Sequence, residues 1–400
     1  MKPAILVVEP RTQGHHVGWL RFMVEDLLHG GHPVSLALDN RPEALQRVEA
    51  QLGDLLPQTR VLPLPMDRWK GRHKERVLAE LLAQSGAALA FLADFSEIGS
   101  GMLRRAALGW LPPSSLRGRL GGIYFRPYFA ARQGFSLQNW LKRQGARRLL
   151  ARHWIGCWLF IDPFLLADAQ VQFPGAPVFP LVDPYPENFH ADREASRRAL
   201  ELPATARVFL FYGGGYRRKG LHLAVEAWSK LPTDRREVVL LCAGEPPREP
   251  QVRAGLAALE REGRAKLIPR YVSAEEERGL FAACDFVLLP YHGHRDSSGV
   301  LALAAGAGRP AVVSDEYIVG RTVREHGMGL WFPPGDVRAL GESVLQAAQA
   351  GAEELARWQA GARACAAQCS RAIYRRQLLA AVASAGEPRL AATLTLPLSQ

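Results

Sequence analysis

Four hundred residues are more than one hydrophobic core usually serves, so two domains of about 180–200 residues each are expected. Apolar residues make up 48% of the chain and charged ones 22%, a globular balance that excludes a disordered or disulfide-stapled scaffold. The formal net charge of +11 favours anionic partners, and five cysteines without a metal-type CxxC read as small hydrophobes.

In chain order, Met1–Pro10 (MKPAILVVEP) reads as a first strand rather than a signal peptide. No run reaches the roughly 18 apolar residues of a spanning helix, so the expected location is cytoplasmic. The loop Glu9-Pro10-Arg11-Thr12-Gln13-Gly14-His15-His16 follows, then apolar Val17, Leu20, Val24, Leu27 and Leu28 at helical spacing. A loop after the first strand lies at a sheet's carboxyl edge, where ligands bind. There His15 or His16 suits a hydrogen bond to a sugar, or a general base near neutral pH; a cap or surface role is the plain alternative. Further strands are expected at Val34–Leu38, Ala88–Ala93, Gly122–Phe125 and Trp158–Ile161, with Asp94 as a carboxyl-edge acid or a helix cap with Ser96.

Residues 98–161 hold eleven Lys and Arg and no Asp or Glu, interleaved with Trp110, Tyr124, Phe135, Trp140 and other aromatics. This composition suits an anionic membrane surface or a lipid-phosphate acceptor, or else is a solvated basic face. It shows no nucleic-acid-binding module. Phe173–Asn188 carries five prolines in sixteen residues and reads as an extended crossover between domains.

The second half repeats the alternation, with strands at Val208–Tyr212, Val238–Ala243, Lys266–Pro269, Phe286–Pro290 and Ala311–Ser314. The first runs into Gly213-Gly214-Gly215-Tyr216-Arg217-Arg218-Lys219-Gly220 and a helical window. Glycines allow close backbone approach to an anion, and Arg218 and Lys219 add full charges, so the turn suits a phosphate as well as a plain glycine-rich turn. The strand DFVLLP leads to YHGHRDSSG and a small-residue helix. Ser297, Ser298 and Gly299 there suit a second phosphate contact, with an N-cap by Ser297 or Ser298 in either case. A helical window, Ala352–Ala383, closes the fold, Cys365 and Cys369 share one of its faces, and Glu387–Gln400 reads as a frayed tail.

These two elements, with CAGEP, YVSAEEERGLFAACDFVLLPY, the G-x-P of Gly308 and Pro310, and GLWFPPGD, resemble the donor-binding domain of retaining family-4 (group 1) glycosyltransferases. The likeness spans about Val208–Asp336. It implies an α/β GT-B fold: two Rossmann-like, doubly wound parallel-sheet domains facing a cleft. The divisions are 1–180 for the acceptor, 181–350 for the nucleotide-sugar donor, 351–385 as a helical segment packing back, and 386–400 as tail.

The resemblance further implies transfer of a sugar from a nucleotide-sugar donor to a glycan or lipid-linked acceptor, with retention and without a metal or other cofactor. Arg218 and Lys219 hold the diphosphate in that reading, with the amides of Ser298 and Gly299. The family's first Arg falls on Gly214, leaving Arg217 or Arg218 to replace it. Its E-x7-E pair is degenerate: anchored on Gly299 the positions are Asp296 and Ala304, and anchored on Pro310 they are Arg295 and Leu303. Asp296 stays within reach of the donor sugar, and Asp315 and Glu316 are alternative acids for its hydroxyls. Two other readings follow: a non-catalytic glycosyltransferase-like binding protein, and an inverting enzyme using His15 as base, since P-x-x-Q-G-H is similar to the first loop of inverting family-1 glycosyltransferases.

Overall fold

The computed structural model describes residues 2–12, 16–134, 136–232 and 237–386. The chain divides into two compact units, Met1–Leu181 together with the segment from Arg375 onward, and Val182–Tyr374. None of the described helices is long and apolar enough to cross a membrane.

The first unit is built on a seven-stranded sheet of β1 (Ile5–Glu9), β2 (Val34–Asp39), β3 (Arg60–Leu64), β4 (Leu89–Leu92), β5 (Leu120–Ile123), β6 (Ile155–Phe160) and β7 (Val178–Pro180). Its order is β3-β2-β1-β4-β5-β6-β7, and every pairing is parallel. Central strands such as β1 are buried along their whole length, as a sheet covered on both faces requires. On one face Tyr124 is fully buried, with ring centroids 5.6 Å from Phe95, 5.2 Å from Phe129 and 5.8 Å from Trp158.

The second unit holds six strands, β8 (Arg207–Tyr212), β9 (Val238–Ala243), β10 (Ala265–Ile268), β11 (Phe286–Leu289), β12 (Ala311–Ser314) and β13 (Gly329–Phe332). The order β10-β9-β8-β11-β12-β13, all parallel, reverses direction between β8 and β11, which makes the carboxyl ends of those two strands the topological switch point. Phe209 stacks on Phe286 at 5.2 Å and meets Trp228 edge-on at 5.6 Å. The entrance to β11 is fixed by buried Asp285, which accepts hydrogen bonds from Arg193 (2.7 Å), Arg197 (2.7 Å) and the Val208 N–H (2.8 Å).

Three strands differ from the sequence reading. β3 is an edge strand whose outer positions are exposed and whose run contains Pro63, so it lacks an unbroken apolar signature. β7 lies inside the proline-rich crossover, also at an edge, and the units divide just after it, at Leu181. β13 carries Gly329 and a half-exposed Trp331, which obscure its pattern. In addition β5 starts at Leu120, earlier than Gly122.

The closing window is two helices, Ala352–Gln368 and Arg371–Gly386, because Cys369 leaves helical geometry as the C-cap of the first. Cys365 and Cys369 therefore do not share one continuous helix. The last helix serves the first unit: Arg375 Nε donates to buried Asp26 at 2.7 Å, and a side chain at Gly30 would collide with Leu379. The expected tail, Glu387–Gln400, lies outside the described residues.

Candidate functional site

At the switch point of the second sheet, β8 ends in the glycine turn, and Arg217–Lys219 form a single 3-10 turn before the helix Leu221–Lys230. Gly220 sits at φ 73°, where a side chain would strike the Pro290 carbonyl, so the turn lies directly on the end of β11. Gly213, at φ 104°, leaves room for the Lys219 ammonium to cross it. Two expected anion donors are already engaged. The Gly213 N–H donates to the Ala243 carbonyl and the Gly215 N–H to that of Glu245, both at 2.8 Å, extending the β8–β9 ladder. Gly214 makes no such backbone bond among the described residues, so the cationic side chains supply most of the turn's attraction for an anion.

Lys219 is the most telling of them. The one hydrogen bond of its side chain among the described residues is a long 3.5 Å contact to the Tyr212 carbonyl. Burial, reinforced by Arg218, pushes its ammonium down to about 8, so the charge is held without a neutralising carboxylate. Arg218 reaches across to the second loop, where its Nη1 lies 2.8 Å from His294 Nδ1, while the His292 N–H donates to the Arg218 carbonyl at 2.9 Å. Burial lowers the His294 pKa, which keeps the ring neutral beside that guanidinium. Arg217 and Arg218 are both exposed, and Arg218 is the one that reaches the second loop, through His294.

The second loop ends in the helix Gly299–Gly306, capped by Ser298, whose hydroxyl accepts from the Leu301 N–H and lies 3.0 Å from the Tyr291 hydroxyl. The first-turn amides of Gly299 and Val300 have no carbonyl one turn back, which leaves them for a ligand. Ser297 hydrogen-bonds Asp183, a residue the sequence reading did not nominate. Asp296 is half-buried on the same loop.

Glu316 has a different task from the expected sugar contact: both its oxygens accept backbone N–H groups, from Gly293 at 2.7 Å and His294 at 2.6 Å, fixing the loop. Asp315 pairs with Arg324. Arg295 lies over the ring of Tyr317, a residue with a left-handed φ of 40°. Ala304 is fully buried in the helix interior.

The switch point of the first sheet, between β1 and β4, is also charged but internally matched. Buried Glu9 accepts the Arg11 N–H at 2.8 Å and lies 3.6 Å from His16 Nδ1. Arg11 bridges to Asp94 at 2.5 Å and to Glu97 at 3.7 Å, and Glu97 also accepts from Trp69 (3.1 Å) and Lys74 (2.9 Å). Asp94 accepts the Ser96 N–H at 2.8 Å, one residue before Phe95, the N-cap position of the helix Ser96–Ala107. His16 is the first residue of the helix His16–His29, whereas Gln13, Gly14 and His15 lie outside the described residues. His294 and Asp183 carry no spacing signal, because their partners Arg218 and Ser297 are distant in sequence.

Residues 192–364 match the family model described as Glycosyl transferases group 1. No curated protein matches the chain. Among solved structures it is similar to HepE from Anabaena in complex with UDP and glucose, with 14% identity, a TM-score of 0.68 and coverage of 96% of this chain and 100% of that one. A glycosyltransferase from Rickettsia africae gives 13% identity, a TM-score of 0.72 and coverage of 96% and 98%. WaaG, a glycosyltransferase involved in lipopolysaccharide biosynthesis, gives 15%, 0.65, and 96% and 100%. At such identities the shared property is the fold, and the family match adds the activity class. Residues 192–364 are a group 1 glycosyltransferase domain by this match, carried on a chain of the GT-B fold.

Proposed function

We propose that the second unit binds a nucleotide-sugar donor through its diphosphate and that the sugar passes, with retention, to a glycan or lipid-linked acceptor held by the first unit. The carrying observation is Lys219, a desolvated cation on a glycine turn facing a helix N-terminus, with no carboxylate to neutralise it. As the bond from sugar C1 to the phosphate oxygen breaks, negative charge grows on the diphosphate. Arg218, Lys219 and the amides of Gly299 and Val300 are the groups that stabilise it, a role that needs no metal ion in this reading.

The nucleoside fits the adjacent carboxyl edge of β8–β10, where a cavity of about 160 Å³ is lined by Phe211, Cys242, Gly244, Glu245, Pro247 and Ile268. Related folds support the donor class, since HepE has been solved with UDP and with UDP-glucose. Glu245, which already accepts the Tyr216 hydroxyl at 2.8 Å, offers a carboxylate for ribose in place of the buried Ala304.

A panel of sugar nucleotides read by thermal shift tests the donor. Stabilisation by at least one member that is lost in Lys219→Ala is the expected outcome, and unchanged turnover in that variant overturns the diphosphate assignment. Binding without transfer to any acceptor favours the non-catalytic reading. Product anomer by NMR decides retention, and inversion would direct attention to His15 and His16.

A second reading concerns the acceptor side. Within residues 98–161, Leu108 (70% exposed), Trp110 (67%), Leu137 (68%) and Trp140 (45%) stand in solvent beside exposed Arg104, Arg147 and Arg152. Other cations of this stretch turn inward: Arg105 pairs with Glu75, Arg143 donates to the Phe129 carbonyl and Arg148 to that of Ala106. We infer a cytoplasmic enzyme whose first unit meets an anionic inner membrane face through the outward subset. Co-sedimentation with anionic but not neutral vesicles is expected, and equal binding to both overturns it.

A further inference from the structure

Asp183 differs from the other acids near the second switch point. Glu316 is tied by two backbone amides and Asp315 by Arg324, whereas Asp183 has no cation among its described partners. It is half-buried, hydrogen-bonded to Ser297, and its two carboxyl oxygens lie 3.9 and 4.0 Å from where a side chain on Gly299 would begin. The other groups that face it are the Tyr291 hydroxyl and the Cys369 thiol. Both are neutral at physiological pH, since burial raises Tyr291 and a hydrogen bond with Cys365 raises Cys369. Arg218 acts on the Tyr291 hydroxyl from the glycine turn.

An ionised carboxylate and a diphosphate oxygen are both acceptors only, so placing one beside the other leaves two anions without a shared proton. A protonated carboxyl instead donates. We propose that Asp183 is a donor-facing acid that meets the sugar nucleotide's diphosphate through a hydrogen bond it gives, so that donor binding at neutral pH takes up a proton at this carboxyl. The inference rests on the donor reading above. Burial supports it by pushing the Asp183 carboxyl up to about 7, against the pull of the Ser297 hydroxyl. In this role Asp183 matches donor affinity to pH and adds a neutral donor among the cations that receive the leaving diphosphate.

The test is calorimetry of the full chain with UDP-glucose, GDP-mannose and ADP-glucose, whose diphosphates do not titrate near neutrality, in buffers of different ionisation enthalpy. Wild type at pH 7 is expected to take up about half a proton per donor bound, and its affinity to fall by up to about tenfold per pH unit above that point. Asp183→Asn, whose amide still donates but does not titrate, loses most of the proton uptake. Asp183→Ala, which cannot donate, binds more weakly at pH 6. Melting curves of both variants confirm that they are folded. Wild-type proton uptake persisting in Asp183→Asn, or wild-type affinity at pH 6 in Asp183→Ala, overturns the role of Asp183 while leaving the donor reading standing. Failure of all three donors to bind at any pH overturns both.

Discussion

The two sheets present opposite electrostatic solutions at equivalent places. At the β1/β4 edge, Glu9, Arg11, Asp94, Glu97 and Lys74 hold one another in a connected set of ion pairs. At the β8/β11 edge, Arg218 leans on a neutral histidine and Lys219 on a distant carbonyl, so neither has an acid among its described contacts. Charged residues at a carboxyl edge therefore do not by themselves mark an anion site. What marks it is a cation that folding has desolvated and left without an acid.

This contrast can be broken in graded ways. The largest effect is expected away from the ligand: Asp285→Ala leaves Arg193 and buried Arg197 without their acid and should cost about 3–5 kcal/mol in chemical denaturation, because a buried charge loses its partner. Lys219→Ala should do the reverse, preserving the melting temperature while lowering kcat/KM by about 10²–10³-fold in steady-state assays, or about 2.7–4 kcal/mol. A stability loss equal to that of Asp285→Ala would place Lys219 on the structural side of the comparison.

The pH dependence follows the same logic. Lys219 must be protonated to hold an anion and its pKa lies at about 8, so donor affinity should decline as pH rises through that value. Lys219→Arg, charged throughout, should remove this decline and leave the lower one assigned to Asp183, as titration calorimetry across pH 6 to about 9.5 would show. The smallest effect belongs to the matched edge. Arg11→Ala removes partly exposed pairs and should cost about 0.2–1 kcal/mol of stability, with sugar-nucleotide affinity unchanged.

Legibility in the sequence followed burial. Strands covered on both faces announce themselves as unbroken apolar runs, and the glycine turn with its basic residues is contiguous, so the fold class and the Gly213–Lys219 element were readable at once. Edge strands β3, β7 and β13 were not, because exposure on one side mixes Arg60, Pro63 and Trp331 into their runs. The loop containing Ser297 and Ser298 was readable as a helix start, but not that Ser298 alone provides the cap. Nor was the engagement of Glu316 with backbone amides visible, since an acid tying down a loop and an acid awaiting a ligand look the same in one dimension. Asp183 was hidden most completely: it sits among prolines, and its meaning comes from Ser297 and Gly299, which only folding brings near.

The return of the last helix to the first unit has a consequence for synthesis. Domains tend to fold in the order they leave the ribosome, yet the surface around Gly30 and Asp26 is completed by Leu379 and Arg375. The first unit thus stays incomplete while the whole of the second is being translated. A chain stopped at Tyr374 would carry a finished second unit attached to a first unit that still lacks Arg375 and Leu379.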